Sequence, residues 1–209
     1  MRYFILFIIF SQISCQSKAQ ISPTLSAQPT DKFVGGGCDG CEQLYDFGDK
    51  ILTNTDTLPE FSLQVEKLKL TGTIYQADGK TPAANIIMFI YHTDENGLYD
   101  TRQKDRKNYI FHRGWIKTTI DGKYTFYTFK PAPYPNRTLP RHIHPFIKEA
   151  GKTIYYIDDF NFVDDPLLTK EEREKLPLRG GSGIMKLRKV DGLWIGKRDI
   201  ILGKNIPDY

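Results

Sequence analysis

Arg141-His142-Ile143-His144 is the segment of this chain best suited to chemistry. Along an extended strand, residues two apart project from one face, so His142 and His144 would aim two imidazoles at a common point while Ile143 turns to the other side. Neutral imidazole is a good transition-metal ligand. Just upstream, Pro131-Ala132-Pro133-Tyr134-Pro135 holds Tyr134 in a backbone kept extended and stiff by its prolines. A tyrosine fixed there cannot relax freely, which is useful in a ligand. Further upstream, Gly97-Leu98-Tyr99 puts a second tyrosine in a loop after an apolar run. Each of these tyrosines alone would read as a packing aromatic, and a lone His-x-His pair is as often chance as ligand; their combination gives them weight.

The remaining reactive side chains carry less. His92 and His112 read as structural or surface residues. Asp158-Asp159 and Asp164-Asp165 read as loop or cap carboxylates, because adjacent residues on a strand point apart. Cys38 and Cys41, in Gly37-Cys38-Asp39-Gly40-Cys41, read as a local disulfide of an exported protein; a zinc half-site lacks its second cysteine pair.

Residues with these tasks need a scaffold, and the surrounding pattern is that of sheet. Residues 70–75 alternate as a half-buried strand, and residues 86–91 form a continuous apolar run suited to a strand buried on both faces. Residues 115–119 and 123–128 read as strands joined by a hairpin at Asp121-Gly122, with Tyr124 and Phe126 on one face. Further strands are predicted at 142–148, 153–157, 193–195 and 199–202. Arg102, Lys104, Arg106 and Lys107 fall in a predicted loop. The one helix signal begins at Thr169, whose hydroxyl and the Glu172 carboxylate would cap each other's amides. Short strands, close turn signals and one short helix define an all-β chain, an antiparallel β-sandwich with long loops.

The 209 residues suffice for one domain with a sizeable core, and the net charge of +4 is scattered, which argues against a nucleic-acid partner. Residues 1–20 have the layout of an export signal: Met1-Arg2, an apolar run over residues 3–10, then small residues. Two cleavage readings stay open. Ser14-Cys15 resembles the end of a bacterial lipobox, giving a membrane tether through a Cys15 lipid; Ser17 and Ala19 fit ordinary cleavage after Ala19. Either places the mature protein outside the cytoplasm, in the periplasm or anchored to a membrane. Residues 21–62 read as a tether and N-terminal arm, and 63–209 as the folded domain.

Taken in order, Gly97-Leu98-Tyr99, Arg113-Gly114, Thr118-Thr119-x-Asp121-Gly122-x-Tyr124-x-Phe126-x-Thr128, Pro131-Ala132-Pro133-Tyr134-Pro135 and His142-Ile143-His144 resemble the intradiol ring-cleavage dioxygenases, which include protocatechuate and catechol dioxygenases. The resemblance covers roughly residues 66–165. It implies a ferric ion, Fe(III), held by Tyr99, Tyr134, His142 and His144. It further implies dioxygen-dependent cleavage of a small catecholic aromatic to a muconate-type diacid, with Tyr134 also serving as a base. In the family an arginine precedes the first histidine by three residues and stabilises charge on the substrate ring; here that position is Leu139. Arg113 is the replacement cation, since Arg141 points to the opposite face from His142. Two other readings follow from that departure: an exported metal-binding sandwich with lost or altered catalysis, and a metal-free binding module.

Overall fold

The computed structural model describes residue 34, residues 40–136 and residues 138–209. The leader, Cys15 and Cys38 lie outside the described residues; Cys41 is disulfide-bonded. Among the described residues no helix is long and apolar enough to cross a membrane. In chain order the strands are β1 (Thr55–Thr57), β2 (Lys67–Tyr75), β3 (Ile87–Tyr91), β4 (Thr101–Lys104), β5 (Lys107–Ile110), β6 (Arg113–Lys117) and β7 (Lys123–Phe129). They continue as β8 (His142–Lys148), β9 (Tyr155–Tyr156), β10 (Phe160–Phe162), β11 (Ile184–Met185), β12 (Arg188–Val190), β13 (Leu193–Lys197) and β14 (Ile200–Ile201). One helix, α1, spans Lys170–Lys175.

Two six-stranded sheets face each other as an all-β sandwich. The first runs β1-β7-β2-β13-β12 with β14 also on β2, and the second runs β11-β10-β8-β3-β6 with β9 also on β8. The long pairs β2–β7, β3–β6 and β3–β8 are antiparallel; β1, β11, β13 and β14 join by parallel pairing. Alternation sets the faces. On β2, Leu68, Leu70 and Ile74 are fully buried between half-buried neighbours. On β3 both faces are covered: Met88 and Ile90 enter the sandwich interior, while Phe89 and Tyr91 join a second apolar cluster on the outer side. β8 divides likewise, with Ile143 and Ile147 in the interior and Phe146 in the outer cluster.

Three expectations are corrected. The Asp121-Gly122 turn is present, with Asp121 Oδ1 accepting from Lys123 N, but it makes no hairpin. β6 pairs with β3 in one sheet and β7 with β2 in the other, so the turn crosses the sandwich. Its two ends are held by different partners: Thr118 N donates to Ile86 O, and Gly122 O accepts from Ile74 N. Second, the charged stretch expected as a loop is the hairpin β4–β5. Asp105 and Arg106, both at positive φ (51° and 65°), close it in the manner of a two-residue primed turn, without the glycine that would have signalled one. Third, the helix is capped on one side only. Thr169 Oγ1 accepts from Glu172 N at 3.2 Å, whereas the Glu172 carboxylate takes Lys175 at 2.7 Å.

The arm lies against the sandwich. β1 adds to β7, and a short 3-10 turn at Cys41–Tyr45 lays Cys41 and Leu44, both fully buried, over the outer face of the second sheet. Trp115 ties the layers by donating from Nε1 to Leu44 O at 3.0 Å.

Candidate metal centre

Four side chains from three segments meet on that outer face. β8 projects His142 and His144 from one side, with Ile143 buried behind them. Tyr99 comes from the loop after β3, and Tyr134 from the proline-rich stretch after β7. The loop is built by Asp94, whose Oδ1 accepts from the amides of Asn96 and Leu98. The loops are joined through backbone, Ala132 N donating to Asp94 O at 3.1 Å, and through Thr93 Oγ1, which donates to Ala132 O at 2.8 Å. Gly97 is required where they touch. Its φ is +79°, and a Cβ there would stand 2.0 Å from Pro133 O. The glycine of the Gly-x-Tyr segment thus lets the Tyr99 loop lie against the Tyr134 segment.

The donor atoms converge. Tyr99 Oη lies 2.6 Å from Tyr134 Oη and 2.9 Å from His144 Nε2. His142 Nε2 lies 3.3 Å from Tyr134 Oη and 3.1 Å from His144 Nε2. Such separations match the edges of a coordination shell with bonds near ~2 Å. The far sides of the rings fix which nitrogens carry protons. His142 Nδ1 meets Pro140 O at 2.7 Å, and His144 Nδ1 meets the Asp159 carboxylate at 3.0 Å. Both partners only accept, so both Nδ1 atoms are protonated and both Nε2 lone pairs face the cluster. Two lone pairs 3.1 Å apart repel unless phenol protons or a cation stand among them. The site therefore fits a metal ion bound by two imidazoles and two oxygens.

The local electrostatics agree. Burial holds the His142 imidazole below its usual pKa, against the pull of Asp159, which keeps it neutral and able to ligate. Burial and the hydrogen bond with Tyr134 push the Tyr99 phenol well above its ordinary value, so its ionisation requires a cation at the site. Burial opposes the charge on Asp159, but the neighbouring His144 and His142 and the Tyr156 hydroxyl bring its pKa below the usual carboxylate range.

Each sequence-derived ligand, Tyr99, Tyr134, His142 and His144, is in the cluster. Arg113 is not brought to it. The guanidinium donates to Gln43 Oε1 at 2.7 Å and lies over the rings of Tyr109 and Trp115. β6 pairs Arg113 with Tyr91, and Tyr91 stands between it and His144 in the sheet. Arg141 is likewise engaged elsewhere, its backbone N and Nε both donating to Asp165 Oδ2. Leu139 is exposed. His92 and His112 are buried as structural residues, stacked on each other at 5.9 Å against Phe129. Asp158 is a loop cap, accepting from the amides of Leu178 and Arg179. Its neighbour Asp159 is at the site, a placement the sequence reading missed. A cavity of about 310 Å³ borders Tyr99 and Tyr91, with Gln43, Thr101 and Tyr109 on its walls. A larger cleft of about 600 Å³, along residues 131–133 and Arg141, includes none of the four donors.

An all-β sandwich carrying two phenols and two imidazoles on one outer face offers a donor set that fits a metal ion. The chain belongs to the intradiol ring-cleavage dioxygenase family: a family profile described as dioxygenase matches residues 49–173. It is 27% identical to a hydroxyquinol 1,2-dioxygenase of Rhizobium sp. (strain MTP-10005) over 122 residues, 51% of this chain and 41% of that protein. It is 28% identical to catechol 1,2-dioxygenase 1 of Acinetobacter lwoffii over 118 residues, 48% of this chain and 37% of that one. The chain thus spans less than half the length of these relatives. Among solved structures it superposes on the dioxygenase domain of a dioxygenase–carbohydrate-binding fusion from Streptomyces sp. SirexAA-E. That match has a TM-score of 0.58 and 23% identity, covering 75% of this chain and 91% of that one. Catechol 1,2-dioxygenase from Acinetobacter sp. ADP1 matches with a TM-score of 0.53 and 20% identity, over 71% and 56%. At these identities the superpositions establish the fold.

Proposed function

We propose that this protein binds one ferric ion through Tyr99, Tyr134, His142 and His144 and uses dioxygen to cleave a catecholic ring between its hydroxylated carbons, giving a muconate-type diacid. The observation that carries the reading is the meeting of two phenol oxygens and two imidazole lone pairs within 2.6–3.3 Å, with both Nδ1 atoms held by acceptors behind. Ferric iron, when bound, draws electron density from a chelated catecholate and opens the ring to dioxygen.

The chain's residues supply orientation and proton transfer. His142 and His144 keep their lone pairs on the site. Tyr99, half-buried on the loop that Asp94 braces, is the fixed oxygen donor. Tyr134 lies on the segment flanked by exposed Pro135 and Asn136, and its phenolate would accept a proton from the incoming catechol at Oη. The 310 Å³ cavity, whose wall includes Tyr99 but not the other three donors, matches a single-ring molecule in size. We assign the activity to the outside of the cytoplasm, on the strength of the leader at 1–20 and the disulfide at Cys41.

Leu139 and the capture of Arg141 by Asp165 favour a second reading, a metal-binding sandwich of the same family with altered turnover. One experiment separates the two. Iron-loaded protein is mixed with catechol and with hydroxyquinol while absorbance and oxygen are followed. A visible phenolate-to-iron band with one oxygen consumed per ring supports the dioxygenase. A band that shifts on catechol binding without oxygen uptake supports the second reading, and colourless iron-loaded protein overturns both. In the active case, Tyr134→Phe shifts the band and lowers the rate by about 10²–10⁴-fold, the usual weight of a positioned proton acceptor.

A further inference from the structure

The register of β8 on β10 pairs Ile143 with Phe160 and His142 with Asn161, which carries Asp159 to the place opposite His144. Asp159 Oδ1 lies 3.0 Å from His144 Nδ1. That oxygen is shielded from solvent, and the His144 imidazole is the ion-pair partner it faces. A carboxylate oxygen taken out of water is costly unless it is paired, and here its partner is one of the four donors of the site. The backbone that carries it is pinned. Asp159 O accepts from Asn161 Nδ2, Asp158 O accepts from the buried Arg198 guanidinium, and a Cβ on Gly183 would stand 2.0 Å from Asp159 O.

We propose that Asp159 is a positioning residue of the metal centre, holding the His144 proton on Nδ1 and the Nε2 lone pair toward the ion, and setting a negative charge behind that ligand. The role rests on the ferric reading above. Asp159 is not a further ligand, because it faces Nδ1, while Nε2 faces Tyr99 at 2.9 Å and His142 at 3.1 Å. Carboxylates behind metal-bound histidines orient the ring and raise its donor strength. The added negative charge also favours the more highly charged ferric state over the ferrous one.

The test strips the full chain of metal with a chelator and reloads it with iron in competition with that chelator. Bound iron, the visible band and the reduction potential are read for the wild type, Asp159→Asn and Asp159→Ala. Asp159→Ala should bind iron about 10–100-fold more weakly. Asp159→Asn, which keeps the size and loses the charge, should bind with a smaller deficit, show a displaced band and be reduced more readily. Unchanged affinity, band and potential in both variants, beside a coloured wild type, overturn the role of Asp159 alone. A wild type that takes up iron without a visible band overturns the ferric reading and the proposal with it. If circular dichroism shows Asp159→Ala unfolded, the isosteric Asp159→Asn decides.

Discussion

The two faces of the second sheet are assembled in different ways. On the inner face, Ile143 and Ile147 of β8 join Met88 and Ile90 of β3, and the first sheet supplies Leu70 and Phe126. Alternating residues of paired strands do all of this. On the outer face, Phe89, Tyr91 and Phe146 are covered by Cys41 and Leu44 from the arm, with Tyr99 packed alongside. There each connecting segment supplies one or two side chains, and His142 and His144 are only half-buried among them. One strand therefore serves both faces, with core residues behind and the two imidazoles in front.

Substitutions on the two sides of β8 test that separation most strongly. Ile147→Ala leaves a void in a fully buried position and should lower unfolding free energy by about 2–5 kcal/mol in a urea titration, with the iron spectrum retained while folded. His144→Ala, half-buried, should shift stability by about 1 kcal/mol or less and abolish the visible band. A His144→Ala protein that unfolds, or one that keeps the band, breaks the division.

Gly97→Ala probes the contact between the two tyrosine loops on the outer face. A methyl group at φ +79°, aimed at Pro133 O, forces the two tyrosine loops apart. The expected loss is about 2 kcal/mol, typical of incompatible backbone, with weaker iron binding out of proportion to it. A variant with normal iron affinity would show that the loops reach the site independently.

A pH titration sharpens the inner side. Burial, with help from the nearby histidines, brings His92 down to about 3 from its ordinary value of 6.5. The folded value is the lower one, so the unfolded chain gains the proton first as pH falls. Stability should be full above 6.5 and decline between 6.5 and about 3, by at most ~1.4 kcal/mol per pH unit. Urea titrations at pH 7, 6 and 5 should show that slope, and His92→Asn should flatten it. An equal slope in the variant assigns the acid sensitivity to other groups.

Local pattern made much of this legible. Strands such as β8, expected at 142–148, carry period-two alternation or a bounded apolar run, and both signals survive folding because they reflect the faces being buried. Tyr99, Tyr134, His142 and His144 were legible because family motifs surround them. The hairpin β4–β5 was hidden because β4 is exposed throughout and only Tyr109 and Ile110 of β5 are half-buried, so no alternation marks it and the turn geometry closes it. Asp159 was hidden because nothing in Asp158-Asp159 says which carboxylate faces the site; the β8–β10 register decides. Arg113 was drawn elsewhere by Gln43 and two aromatic rings, an association among segments far apart in the chain.

Residue type and spacing by themselves determined that this chain is all-β, that His142 and His144 share a face, and that two tyrosines stand on stiff or tight backbone nearby. Those are properties of φ, ψ and side-chain direction over a few residues. Only the tertiary structure decided that the turn at Gly122 crosses between sheets, that the arm roofs the outer face, and that a carboxylate rather than a guanidinium stands beside His144. Those outcomes depend on which distant strands pair and in what register, and pairing free energy is shared across the whole sandwich.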